Sequence, residues 1–459
     1  MTELTVTADD FAQALRSAGV GQVFLPGEPG YDAARTPWNL AVEQLPAAVV
    51  VPTTATEVAN AVRVSAAAGL RVVAQSTGHG AGPLAGRTQG TVLLRLSDFT
   101  GVSVDAEHGI VRVLGATLWQ DVVDAAAAHG LAVLHGSSPD VAAAGCLLAG
   151  GLSWYARRHG LACNHLVAAE VVLADGSIVR TDADHHPDLF WAIRGGGGSF
   201  GVVVALELKA LPMSDVFAGM MLWDGARAVE ITQAWAEWTH GLPEEVTTAL
   251  RLLSFPPLPD LPDFLRGRRV VVIDGAVLTD GQQASALLAP LRALAPELDT
   301  FARVPLPALT AMHMDPQTPV PGVSDHPLLD DFDRSTALAL VAAAGPESGT
   351  TLLSAEIRHL GGALGRPAAG GGALRGLPGA YSGFFVAMAV TPELAALGRA
   401  DGAKAVAALS PWSNRRRFAN FAEEAVDISS IYEPDVLARL RTVREQYDPT
   451  GLFVAGHAL

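Results

Sequence analysis

The sequence is short of cysteine, of clustered basic residues and of long apolar runs, and each shortage removes a class of explanation. Its two cysteines, Cys146 and Cys163, sit in no CxxC pair, so a disulfide framework is not expected. No Lys/Arg-rich run appears, and 31 basic against 47 acidic residues leave a net charge of -16. Nucleic acid and anionic membrane surfaces are therefore not expected as partners, and the acidity reads as solubility. No stretch approaches ~18 uninterrupted apolar residues, so no membrane-spanning helix is expected. The N-terminal segment lacks a basic stretch followed by an apolar one, and a cytoplasmic location is expected. No repeat of 20–50 residues is evident.

What is present describes a folded chain. At 459 residues it is too long for one hydrophobic core, so two or three domains are expected. Apolar residues make up 49% and charged residues 17%, a composition that folds rather than staying disordered. "PAAVVVP" reads as a buried strand, "TATE" as a capping box opening a helix, and "RVVAQS" as the next strand, together a βαβ unit. "TVLLRL" is a further strand. "GVSVDAEHGIVRV" and "VAAEVVLADGSIVRT" read as hairpins, "TLWQDVVDAAAAHG" and "PDLFWAIRG" as helices, and "GVVVALELKAL" as a strand. Beyond about residue 212, long strands alternate with helices, which predicts an α+β domain on a largely antiparallel sheet. The tail "DVLARLRTVREQYDPTGLF" predicts a last helix. Boundaries are expected near residues 212 and 410.

Three glycine-rich stretches carry the chemical signal. "RGGGGSFG" holds a formal GxGxxG at Gly196, Gly198 and Gly201, but a helix precedes it and a strand follows. That is the reverse of the dinucleotide fingerprint, and no P-loop is present, so a nicotinamide dehydrogenase or NTPase is not expected. "AQSTGHGAG" sets His79 among Gly78, Gly80 and Gly82 directly after a strand. Such a loop can cradle an anion with its backbone N–H groups, or be a plain tight turn. "GSSPDVAAAGCLLAGGLSWYARRHG" adds Gly145, Gly150 and Gly151, a second segment suited to close approach. Two such segments in one region point to one large ligand between them.

These stretches, with "PDLFWAIRGGGGSFGVV" and "LARLRTVREQYDPTGLF" in that order, resemble the FAD-linked oxidases of the vanillyl-alcohol-oxidase superfamily. Within it the sequence is most similar to the bacterial berberine-bridge-enzyme-like branch. The resemblance implies a PCMH-type FAD-binding domain of two α/β subdomains over residues 1–211. It implies a substrate domain over 212–410, an antiparallel sheet covered by helices, and a C-terminal segment, 411–459, that returns to the FAD domain. It also implies that His79 is bonded to the flavin 8α-methyl carbon. That methyl is acidified by the ring, and a neutral imidazole nitrogen can add to its quinone-methide form. Ser138 stands where many members carry a second, cysteinyl link, so a single covalent bond is expected. Cys146 does not match that position. Gln75 replaces the arginine usual in the first loop, and Val436 an asparagine near the final helix.

The expected cofactor contacts are Gln75, Ser76, Thr77, Gly78, His79, Gly80, Gly82, Ser137, Ser138, Val141, Gly145, Gly150, Gly151, Trp154, Val203 and Asn420. In "TLLSAEIRHLGG", read as a strand, Leu352, Ser354, Glu356 and Arg358 share one face and Leu353, Ala355 and Ile357 the other. The resemblance makes Glu356 the candidate base with Arg358 beside it; the alternative is a structural ion pair. Tyr155 and Tyr381 are expected to contact substrate, His359 to be structural, and His313 with Asp315 to bind no metal. The expected activity is hydride transfer from a small molecule to FAD, with molecular oxygen as acceptor and peroxide as product, by a monomer or homodimer. Oxygenation through the flavin N5, or a non-catalytic flavin-binding role, are the alternatives.

Overall fold

In the computed structural model the described residues are 7–259 and 262–459, so the first six residues of the N-terminal reading lie outside them. The βαβ unit forms as expected. Strand Ala48–Val51, helix Ala55–Ala67 and strand Arg71–Gln75 follow one another, and both strands pair parallel with Thr91–Arg95 between them. Thr54 Oγ1 accepts the Glu57 N–H and so fixes where the helix begins. Strand Gln22–Phe24 closes this sheet antiparallel, and helix Ala8–Ser17, whose apolar residues Phe11, Ala12 and Leu15 are buried, packs on it.

A second sheet runs Val102–Asp105, Ile110–Leu114, Val202–Lys209, Leu166–Val172, Ile178–Thr181, with every neighbouring pair antiparallel. Both expected hairpins lie in it. The third sheet has nine strands, all from residues 215–388, and its pairs are antiparallel throughout. Its centre is Asp215–Asp224, Arg269–Val277, Val246–Ser254, Leu352–His359 and Tyr381–Met388. Helices Ala228–His240, Gly281–Arg292 and Arg334–Ala344 cover one face, burying Trp223, Trp235, Phe332 and Phe385. Burying side chains of this size stabilises by roughly 1.5–3 kcal/mol each. The opposite face turns towards the first two sheets.

The tail packs against the N-terminal sheet. Val72 N–H donates to Leu452 O over 2.8 Å, and Val454 N–H returns 2.8 Å to Val72 O. Phe453 thereby joins the core around Val50 and Leu94. The fold is α+β.

One expected face assignment is corrected. A register shift between Leu352 and Ser354 places Leu352 in the helix-side core with Ala355 and Ile357. One extra residue at a bulge reverses the alternation on one side of it.

Candidate functional site

The His79 loop is built by close contacts within the protein. Gly78 has φ +88, and a Cβ there would come within 2.7 Å of Pro37 Cβ, so only glycine fits the reversal after Gln75. Buried Arg95 donates to Ser76 O over 3.0 Å and to Thr36 O over 2.8 Å, and Ser76 Oγ donates to Gly115 O over 2.9 Å. On this anchored turn the His79 ring stacks on Trp38, with centroids 4.1 Å apart and planes 20° apart. Thr77 Oγ1 lies 2.8 Å from Nδ1, and Asp140 Oδ1 lies 3.5 Å from Nε2. Trp38 Nε1–H donates over 2.6 Å to Asp140 Oδ2. Burial would raise the Asp140 carboxyl, but its contacts with His79 and Trp38 outweigh that and hold it below the usual range.

The facing wall is the open side of the nine-stranded sheet. Glu356 and Arg358 are brought together there as an ion pair, both largely buried. Arg358 Nη2 also lies 3.4 Å from Ser137 Oγ, and its guanidinium sits 5.0 Å over the Phe421 ring. Phe421 stacks on Phe384 at 4.8 Å. Ser138 Oγ donates to Asp315. Ser137 is thus met by a residue of the sheet and Ser138 by one in the loop that follows Ala311. A small cavity of about 20 Å³ beside Arg358 is lined by Ser137, Leu152, Trp154, Ala249 and His359.

A second polar cluster escaped the sequence reading. Asp274 lies in the middle of the apolar strand Arg269–Val277 and is fully buried. Its Oδ2 is 2.6 Å from Arg251 Nη2 and 3.6 Å from His313 Nε2. Arg251 stands opposite Glu356 in the ladder, and Trp154 meets the His313 ring edge-on at 4.9 Å. Burial raises Asp274 to about 6, against the opposing pull of Arg251. Burial, helped by Arg251 and Arg358, holds His313 far below its ordinary value, so its ring is neutral. Asp274 Oδ1, Arg251 Nε and His313 Nε2 make no hydrogen bond although all are buried. The sequence signal was an aspartate inside "VVVIDGAV", where a carboxylate is costly unless a partner or a function holds it.

Several expected contacts turn elsewhere. Tyr381 is packed on the helix side, stacked on His359 at 5.1 Å with its hydroxyl 2.9 Å from Thr239 Oγ1. It is turned away from Glu356; Phe384, three residues on, stands opposite Glu356 in the ladder and stacks on Phe421. Tyr155 is fully buried in the core of the second sheet, 5.8 Å from His135. The Gln75 amide is used up by a reciprocal pair with Gln44 at 3.1 and 3.2 Å. Val203 and Val141 pack in or against the same core as Tyr155.

The glycines divide in two. Gly82, Gly150 and Gly151 press on protein: a Cβ would meet Glu423 O at 1.8 Å, Leu374 Cδ2 at 2.9 Å and Ala162 Cβ at 2.8 Å respectively. At Gly80 and Gly145 a Cβ would meet nothing within 4 Å. Asn420 spans the second segment, accepting from Gly151 N–H at 2.9 Å and donating to Cys146 O at 3.0 Å. The surroundings fit a large flavin nucleotide. There is open space beside Gly80 and Gly145, a presented imidazole, and buried Nε atoms of His135 and Trp154 without partners.

Residues 46–182 match the family model described as FAD binding domain. A glucooligosaccharide oxidase of Sarocladium strictum is 32% identical over 49% of this chain and 46% of its own length. An (R)-6-hydroxynicotine oxidase of Paenarthrobacter nicotinovorans is 33% identical over 44% of each chain. The chain thus spans less than half the length of these curated relatives. Over the whole chain the fold is shared with solved structures. The Physcomitrella patens BBE-like 1 structure aligns with TM-score 0.84 and 20% identity, covering 97% of this chain and 98% of that one. The 6-hydroxy-D-nicotine oxidase from Arthrobacter nicotinovorans aligns with TM-score 0.79 and 22% identity, covering 98% and 97%.

Proposed function

We propose that this FAD-binding chain is a berberine-bridge-like oxidase that carries its flavin on His79 through a single covalent bond. It removes hydride from a small-molecule C–H next to an oxygen or nitrogen and passes the electrons to molecular oxygen, releasing peroxide. The observation that carries this reading is that one short segment, Ser137–Asp140, meets both groups: Arg358, paired with Glu356, lies 3.4 Å from Ser137, and His79, held by Thr77 and Trp38, lies 3.5 Å from Asp140.

When bound, FAD supplies the hydride acceptor and the route to oxygen. The chain's own residues do the rest. Glu356 is the base for the substrate proton. Arg358 pairs with it and, through Ser137, ties the sheet to the segment that carries Asp140. Trp154, Phe384 and Phe421 present flat apolar surface that excludes water from the reacting bond. Arg251, Asp274 and His313 form a polar inner wall beside Glu356 that can orient hydroxyl or amine groups. The candidate substrates follow from the relatives: oligosaccharides and hydroxylated nitrogen heterocycles.

The test is a peroxide-release screen of both classes under oxygen, with anaerobic flavin bleaching as a second readout. Substrate-dependent bleaching with stoichiometric peroxide is the expected result. Labelled oxygen appearing in the product would point to oxygenation instead, and no bleaching with any compound would favour a non-catalytic flavoprotein.

A further inference from the structure

The contacts around His79 do more than hold a ring. Three separate segments meet there: Trp38, the Thr77–His79 turn, and Asp140, which lies two residues after Ser138. Trp38 has two roles, since its face covers the imidazole while its Nε1–H holds the other oxygen of the same carboxylate. This arrangement addresses each nitrogen of His79 separately. Asp140, ionised, selects the tautomer with the proton on Nε2. That leaves Nδ1 without a proton, with the Thr77 hydroxyl 2.8 Å away to orient the ring.

Resting on the reading of His79 as the flavin-bearing residue, we propose that Asp140 is the proton acceptor that drives attachment of the flavin to His79 Nδ1. The step balances as follows. One C–H proton leaves the 8α-methyl, and the Nδ1 lone pair forms the bond to that carbon. The Nε2 proton passes to Asp140, so the alkylated imidazole ends neutral. The two electrons are left on the flavin, and molecular oxygen takes them together with the methyl proton and the proton released by way of Asp140, giving peroxide and oxidised flavin. Without the carboxylate the imidazole would carry a positive charge at the end of the step, beside a cofactor that is gaining electrons. Asp140 acts on the cofactor only through His79 and is a positioning residue for it.

The experiment compares wild type, Asp140→Asn and Asp140→Glu, purified from the same riboflavin-supplemented expression. Total bound flavin is read from visible absorbance, and attached flavin from colour retained in the acid-precipitated pellet and from intact mass. Wild type is expected to be fully attached. Asp140→Asn is expected to bind flavin but attach it about a hundredfold more slowly, the scale of a lost proton acceptor. Asp140→Glu, which keeps the carboxylate, is expected to restore most of that rate and so separates this role from a folding defect. Attachment in Asp140→Asn at the wild-type rate would overturn the proposal while leaving the His79 link intact. So would Asp140→Glu behaving like Asp140→Asn while both bind flavin. Flavin released to the supernatant from wild type would instead overturn the reading of His79 itself.

Discussion

Asp274 and Arg251 form a pair that stability alone would not select. Replacing a buried ion pair by well-packed apolar residues is often neutral or stabilising, whereas removing one partner costs about 3–5 kcal/mol. Asp274→Leu alone should therefore lower the unfolding free energy by an amount of that order, measured by chemical denaturation. Combining it with Arg251→Met should recover most of the loss. If the cluster serves substrate, the double variant will be stable and flavin-loaded yet raise KM. If Glu356 is the proposed base, Glu356→Gln should slow anaerobic flavin bleaching by roughly 10²–10⁴-fold with flavin content unchanged. A bleaching rate within a factor of a few of wild type would leave Glu356 as a structural partner of Arg358. Glu356 and Arg358 were legible because alternation in "SAEIR" puts both on one face. His313 and Arg251 were not, since their meeting with Asp274 depends on strand pairing and on a loop folded over the sheet.

At the scale of elements, the two faces of the nine-stranded sheet do different work. Tyr381 and Phe384 lie on one strand but on opposite faces, and only the register Glu356↔Phe384 and His359↔Tyr381 tells which is which. An aromatic residue in a late strand was readable from sequence; its face was not, because register is set by partners far along the chain. Tyr381→Phe should cost about 1 kcal/mol for the lost hydroxyl contact and leave turnover unchanged. Phe384→Ala should act the other way, changing KM more than stability. The glycine loops give a similar lesson. Their residue types announced close approach, but at Gly82 the approach is to the backbone of Glu423. Gly82→Ala should push the tail away, lowering both Tm and flavin content; an unchanged Tm would show that the 423 segment is not packed there. Strand Val246–Ser254 and helices Arg334–Ala344 and Pro392–Ala408 gave no clear periodic signal, although the strand supplies Arg251.

For the whole molecule, the tail is the fastener. Asn39 donates to Glu423 over 2.8 Å and exchanges hydrogen bonds with Gly322 at 3.0 and 3.1 Å, so three distant stretches of chain meet at one side chain. Burial raises Glu423 to about 7, against the contact with Asn39. A carboxyl whose folded pKa is raised contributes stability that is complete below its ordinary value and is lost as pH rises through the folded one. Tm should therefore fall between about pH 4.5 and pH 7 and level off above that, and Glu423→Gln should flatten that fall. An equally steep fall in the variant would place the titration elsewhere. The overall plan of two glycine segments, an antiparallel sheet and a returning tail was legible from the order of motifs, since each motif needs the others to enclose one ligand. The central claim, that this chain bears FAD on His79, is tested most directly by tryptic peptide mapping of the purified protein. The account predicts that the peptide of residues 72–87 carries the mass of FAD, with fragmentation placing it on His79. An unmodified peptide, with all flavin recovered free, would contradict it.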